Sequence, residues 1–138
     1  MTATPPDETH LLVASMPFAA ALGVQLDSDD PQQVRGHLDW SPERCTLGGF
    51  LHGGALMTLA DSLGAICAYL NLPEQTTTST IQSTSNFFHG VRQGRVHGIS
   101  QPLQRGNSIV VVQTDLFDDE ERRVAQTTQS QAVLPEPE

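Results

Sequence analysis

From His52 to Asn71, apolar residues recur at helical spacing. Leu56, Leu59, Ala60, Leu63, Ile66, Cys67 and Leu70 fall together because steps of three and four return to one face of a helix. Asn71 and Pro73 supply the stop. The opposite side carries Ala55, Met57, Ala65 and Ala68, so the segment is nonpolar nearly all round, the mark of a buried helix. Asp61 is its one charge. On both sides of this segment the period drops toward two. Gly23 to Asp29 and Gln32 to Trp40 read as strands joined by a turn at Asp29-Asp30-Pro31. In the second, Val34, Gly36, Leu38 and Trp40 share one face, and Arg35, His37 and Asp39 the other. Gln75 to Phe88, Gly94 to Pro102, Asn107 to Phe117 and Arg122 to Leu134 follow, with turn signals at Arg105-Gly106-Asn107 and Phe117-Asp118-Asp119-Glu120. Ahead of them all, Glu8 to Leu22 holds a short helix interrupted at Pro17. Residues 1–7 and 135–138, rich in Pro and acid, read as frayed ends.

Two strands, one buried helix and four strands give an α+β class, and the short connections imply an antiparallel meander. One solution has little strain: a curved antiparallel sheet wrapped around the helix, the hotdog arrangement. With 138 residues the chain is a single domain spanning 1–138. One sheet around one helix leaves a face and edges uncovered, so a homodimer paired edge to edge is expected, with a dimer of dimers as the next level.

Charge narrows the partners. A net charge of -9 opposes nucleic acid and anionic membranes, both of which attract basic surfaces. No apolar run approaches the ~20 residues of a spanning helix, and the start MTATPPDETH lacks a basic n-region; a soluble cytoplasmic protein is expected. Lysine is absent, so only Arg35, Arg44, Arg92, Arg95, Arg105, Arg122 and Arg123 can meet phosphates. Cys45 and Cys67 form no C-x-x-C, and Cys67 reads as core. His10, His37, His52, His89 and His97 lack metal-ligand spacing. No metal and no cofactor are expected. Serine-hydrolase chemistry is disfavoured, because no G-x-S-x-G occurs.

Candidate chemistry gathers between Gly48 and Asp61. Gly48, Gly49, Gly53 and Gly54 permit close approach of the backbone, and the second pair falls where the helix begins. There the first N–H groups have no intrahelical acceptor and the dipole favours negative charge, which suits an oxyanion hole for an attacked thioester. The alternative is that these glycines only ease close packing at the helix entry. Asp61, with no arginine three or four residues away, is costly in an apolar helix unless it is hydrogen-bonded or faces a polar cavity. Thr58 or Ser62 are its structural alternatives. From Gly53 to Asp61 is roughly 12 Å along a helix, too far for one carbonyl to touch both. A dimer with antiparallel central helices brings the start of one helix to Asp61 of the other, so a shared active site is expected.

The segment H-G-G-x-x-x-x-L-A-D at His52 to Asp61 resembles that of hotdog thioesterases of the phenylacetyl-CoA (PaaI-like) and hydroxybenzoyl-CoA type. The run QGRVHG from Gln93, then PLQRGNSIVV and its closing strand, is similar to the bacterial 1,4-dihydroxy-2-naphthoyl-CoA thioesterases. The likeness extends from about Phe18 to Leu134. It implies hydrolysis of an acyl-CoA, aromatic in the families named. Carried over, the Gly53 N–H meets the thioester oxygen, His52 shapes the same corner, and Asp61 acts as nucleophile or as the base that activates water. Two departures stand out: Thr46 where relatives often have Asn or Gln facing the thioester, and Ala65 where they often have Ser or Thr that positions water. A hydroxyl such as Ser62 or Thr80 would have to substitute for the latter. The resemblance also implies that CoA rests near His89, Gly90, Arg105, Gly106, Asn107 and Ser108, with Arg105 the leading phosphate candidate. Asn86, Phe87 and Phe88 are candidates for the acyl pocket, and Gly54 for close approach to the ligand; His97 reads as structural. Competing readings are a non-catalytic acyl-CoA-binding protein and, further off, a hydratase/dehydratase, whose usual H-F-P-G or D-x-x-x-x-H patterns L-H-G-G does not match.

Overall fold

The apolar helix forms where its period places it. In the computed structural model, which describes residues 8–137 (side chains from residue 11), α3 spans Gly53–Leu70. His52 is its N-cap and Asn71 its C-cap, the latter bonding the Ala68 and Tyr69 carbonyls. Pro17 splits the N-terminal helix as expected. α1 covers Glu8–Ala14 and α2 Pro17–Leu22, with proline at the first helical position, where its missing N–H costs nothing. Gly23, at φ 104°, closes α2 in the left-handed region. That cap takes Gly23 out of the first strand, which therefore begins at Gln25.

The strands are β1 (Gln25–Asp30), β2 (Gln33–Asp39), β3 (Thr76–Phe87), β4 (Arg95–Arg105), β5 (Ile109–Phe117) and β6 (Arg123–Pro135). They form one antiparallel sheet in the order β1-β2-β4-β5-β6-β3, curved around α3 in the hotdog arrangement. The expected meander holds for β4-β5-β6. It fails for β3, which pairs with β6 at the far edge rather than with β4. The physical reason is α3: crossing the sheet, it delivers the chain to the opposite side from β2, and the chain must return to add β4 beside β2. Two strands also outrun their expected ends. β4 passes through Pro102 with a bulge to Gln104, a setting that tolerates a missing N–H. At the C-terminus, β6 extends to Pro135, and the Glu136 N–H bonds the Gln75 carbonyl; residues 1–7 and 138, also expected to fray, lie outside the described residues.

Alternation selects what faces the helix. Val34, Gly36 and Leu38 from β2, Val96, Gly98 and Ser100 from β4, and Val110, Val112, Thr114 and Leu116 from β5 are buried, while Arg35, Asp39 and Arg95 lie outward in an ion-pair layer that includes Arg95–Asp39, His37–Asp27 and His97–Asp119. Gly36 and Gly98 are register partners, and Leu63 of α3 drops into the slot between them. Burying each such leucine contributes about 1.5–3 kcal/mol.

Cys67 is fully buried beneath this layer, and burial pushes its thiol up to about 11. Thiol reagents at pH 8 are expected to label Cys45 in the folded protein and Cys67 only after unfolding, as peptide mapping by mass spectrometry would register.

One expectation needs correction. α3 is not buried all round within one chain. Met57, Asp61 and Tyr69 form an open stripe with half-buried Ala65, four residues apart, and Met57 and Tyr69 are 45% and 55% exposed. The sheet covers three sides of the helix and leaves this one uncovered.

Candidate functional site

The N-terminal corner of α3 is built from a hairpin-like loop. Cys45 and Leu51 bridge, the Thr46 N–H bonds the Phe50 carbonyl at 2.8 Å, and the His52 N–H bonds the Arg44 carbonyl at 2.9 Å. This fixes His52 as the cap: its Nδ1 accepts the Gly54 N–H at 2.8 Å, so the neutral ring carries its proton on Nε2. Gly54 thereby spends its donor inside the chain. The Gly53 N–H has no acceptor among the described residues and stands at the positive end of an 18-residue helix. Around it lie Phe87, whose ring edge approaches Gly53, and Phe50, whose ring packs on Gly90. Thr46 and His89 are exposed at the rim, as is Arg92, whose guanidinium sits 4.9 Å from the centroid of Phe50.

Asp61 lies two turns along the open stripe, at the floor of a hollow of about 460 Å³ that also involves Met16, Phe18, Ala19, Met57, Thr58, Ser62 and Ser83. Phe18 is 73% exposed and forms part of its rim. Asp61 Oδ1 accepts a 2.7 Å hydrogen bond from Gln129 Nε2, and Oδ2 has no partner among the described residues. Burial by these apolar neighbours pushes the carboxyl above its ordinary range, and the Gln129 bond offsets part of that. Thr58 and Ser62, the structural alternatives for Asp61, bond elsewhere: Thr58 donates to the Gly54 carbonyl and Ser62 to the Thr58 carbonyl. A larger hollow of about 620 Å³ continues along the stripe past Ala65 to Tyr69, walled by Leu11, Leu12 and Met16.

The other sequence-predicted residues divide between the two ends of α3. Asn86 lies between Ser85, which bonds Thr127, and Phe87; alternation turns it to the opposite face of β3, away from the helix. Thr80 faces inward but accepts from Gln131 Nε2 at 2.8 Å. Arg105 ends β4 near the C-terminus of α3, with Nη1 3.3 Å from Asn71 Oδ1, and Gly106, Asn107 and Ser108 form the turn beyond it. Within one chain that turn and the His52–Gly53 corner lie roughly a helix length apart, about 27 Å. Ser83 and Gln129 are not legible as site residues in the sequence. The polar run QTTQSQ of β6 gives no hydropathy contrast between its faces, and Ser83 is one hydroxyl among many in β3.

Comparison with known proteins agrees with this fold. The chain is 33% identical over 86 residues to the 1,4-dihydroxy-2-naphthoyl-CoA hydrolase of Escherichia coli, covering 62% of this chain and 63% of that one. Its fold matches a mutant thioesterase from Pseudomonas aeruginosa with a TM-score of 0.86, 25% identity and 96% of each chain covered. The Escherichia coli PaaI protein of the phenylacetic acid degradation operon superposes with a TM-score of 0.84 at 18% identity, over 92% of this chain and 91% of that one. The thioesterase superfamily model matches residues 48–125, more than half of the chain, with α3 and strands β3 to β5 inside it: the chain belongs to the thioesterase superfamily and is a thioester hydrolase of hotdog fold.

Proposed function

We propose that the chain hydrolyses cytoplasmic acyl-CoA thioesters, aromatic ones foremost, at a site shared between two subunits. The observation that carries this reading is Asp61 itself, a carboxylate on an open helical stripe, facing an apolar hollow with one oxygen unengaged. The Gly53 N–H of the second subunit would receive the thioester oxygen. In one route Asp61 takes a proton from water as the water oxygen attacks the carbonyl carbon; in the other, Asp61 attacks directly and forms an anhydride that water then opens. Either way the C–S bond breaks as the tetrahedral centre collapses, the CoA thiolate takes a proton, and free acid leaves. The Ser83 hydroxyl lines the hollow where Ala65 offers none, and Met57, Phe18 and Met16 supply apolar surface for the acyl group.

The two sheet edges support a dimer through β3. β1 carries Asp27, Asp29 and Asp30 and a bulge at Leu26/Ser28, features that blunt an edge. β3 has no charge in its twelve residues, and Ile81 and Phe87 on it, with Phe88 just past its end, are exposed. Pairing β3 with its copy would cover that edge and set the open stripes of the two α3 helices side by side, antiparallel.

Thiol release from a panel of aromatic and aliphatic acyl-CoAs tests the activity directly. Absence of hydrolysis of every ester by folded wild type would move the reading to acyl-CoA binding. For the nucleotide end, Arg105→Ala is expected to raise KM for CoA esters several-fold while kcat changes little. Arg105 stands about 15 Å past Asp61 along the helix axis, within reach of an extended pantetheine arm and remote from the reacting carbon. An unchanged KM would remove Arg105 from the phosphate role.

A further inference from the structure

Gln129 is fully buried on the inner face of β6, and its surroundings do not call for an amide on packing grounds. Thr127 and Gln131, its inward neighbours on the same strand, bond across to Ser85 and to Thr78 and Thr80 of β3. Gln129 joins neither pairing. Its Nε2 reaches across to Asp61 Oδ1 at 2.7 Å, and its Oε1 is the one buried side-chain polar atom without a hydrogen-bond partner among the described residues. An orphaned buried carbonyl is unfavourable, so a methionine or leucine would pack at this position with less penalty. The amide also depends on a matching absence. Gly64, three residues after Asp61 and therefore on the same side of α3, has no side chain, and a Cβ there would collide with Gln129 Oε1.

We infer that Gln129, seated in the slot left by Gly64, is the positioning residue for Asp61: it holds Oδ1 and leaves Oδ2 aimed at the substrate hollow. This rests on the reading of Asp61 as the working carboxylate. The bond favours the ionised form, and among the described residues lining the hollow no other charged side chain competes for that role. α2 presents Phe18 and Ala19 to the hollow, the segment before it Met16, α3 Met57, Thr58 and Ser62, and β3 Ser83, none of which titrates near neutrality.

The test compares wild type with Gln129→Met and Gly64→Ala, following kcat/KM against pH and the Asp61 carboxyl by carbon-13 NMR titration. Gln129→Met keeps the volume and removes the donor. Gly64→Ala keeps Gln129 and displaces its amide, and so answers the same question should the first variant fold poorly. In both, kcat is expected to fall roughly tenfold, the size of one lost charge-assisted hydrogen bond. The acid limb of the profile and the NMR titration are both expected to move to higher pH. In a Gln129→Ala background, Gly64→Ala is expected to be tolerated, because the methyl then enters vacated space. A Gln129 that only fills the core would lower thermal stability in these variants and leave both titrations where they are, and that result would overturn the assignment. The NMR titration needs no turnover, so it reports on Gln129 even if Asp61→Asn proves fully active and the proposed chemistry falls.

Discussion

Asp61→Asn is expected to cut thiol release by roughly 10²–10⁴-fold, the range a lost general base or carboxylate nucleophile costs, with little change in KM. Asparagine keeps the side-chain shape and still accepts the Gln129 N–H, so the hollow stays intact. Stability is expected to move the other way. Asp61 is raised in the folded state by burial, so the native protein binds this proton more tightly than the unfolded chain does. Its contribution to stability therefore falls as pH rises from the ordinary carboxylate range through the raised folded value. At neutral pH the ionised carboxylate is a net burden that the amide relieves. A thermal melt of Asp61→Asn at pH 7.5 should give a Tm no lower than wild type, with the gap narrowing as pH drops. A variant turning over near the wild-type rate would remove Asp61 from the mechanism.

The same substitution shows whether the site is shared. Gly53→Pro deletes the unengaged N–H at a position where proline suits the helix start, and His52, already extended, accommodates a following proline. Each variant alone should be inactive. If Gly53 and Asp61 serve the same carbonyl from different subunits, refolding the two variants together restores one sound site per mixed dimer, about a quarter of wild-type activity for random pairing. A site contained within one chain restores none.

A large effect on stability is expected where Gly36 meets Leu63. A Cβ there would come within 2.5 Å of Leu63 Cδ2 and 2.6 Å of the Gln25 carbonyl oxygen. The leucine can adjust, but the backbone of β1 cannot move without loosening its ladder with β2. Gly36→Ala is therefore expected to cost about 2–3 kcal/mol, in the upper range for overpacking, and to lower Tm on the order of 10 °C. Leu63→Ala alone should cost about 2–5 kcal/mol by leaving a cavity. Combined, the two should cost less than their sum, because the smaller side chain at 63 removes one of the two clashes. Additive losses in chemical denaturation would show that Leu63 does not occupy the glycine slot.

Much of the fold is legible in the amino-acid sequence, because it depends on local periodicity. α3 and its C-terminal stop follow from the spacing of Leu56, Leu59, Leu63 and Ile66 and from Asn71, whereas the His52 cap shows only in the structure. Gly53 and Asp61 are legible too, as a glycine pair at a helix start and a lone carboxylate in an apolar run. Strand order is not. No local pattern tells β3 that its partner is β6, fifty residues on, rather than β4, the next strand in the chain. The open stripe on α3 is equally hidden, since Met57, Ala65 and Tyr69 read as apolar whether a sheet covers them or not. Gln129 is the clearest case: in sequence it is one polar residue among TTQSQ, and it reaches Asp61, 68 residues away, only because the sheet curls around the helix and Gly64 leaves it room. Residue spacing along the chain determined which elements form and which groups carry charge. The partial desolvation of Asp61, which stays exposed on the open stripe, and with it the raised carboxyl and its amide partner, was decided by the tertiary packing that brings apolar side chains and β6 up to the helix.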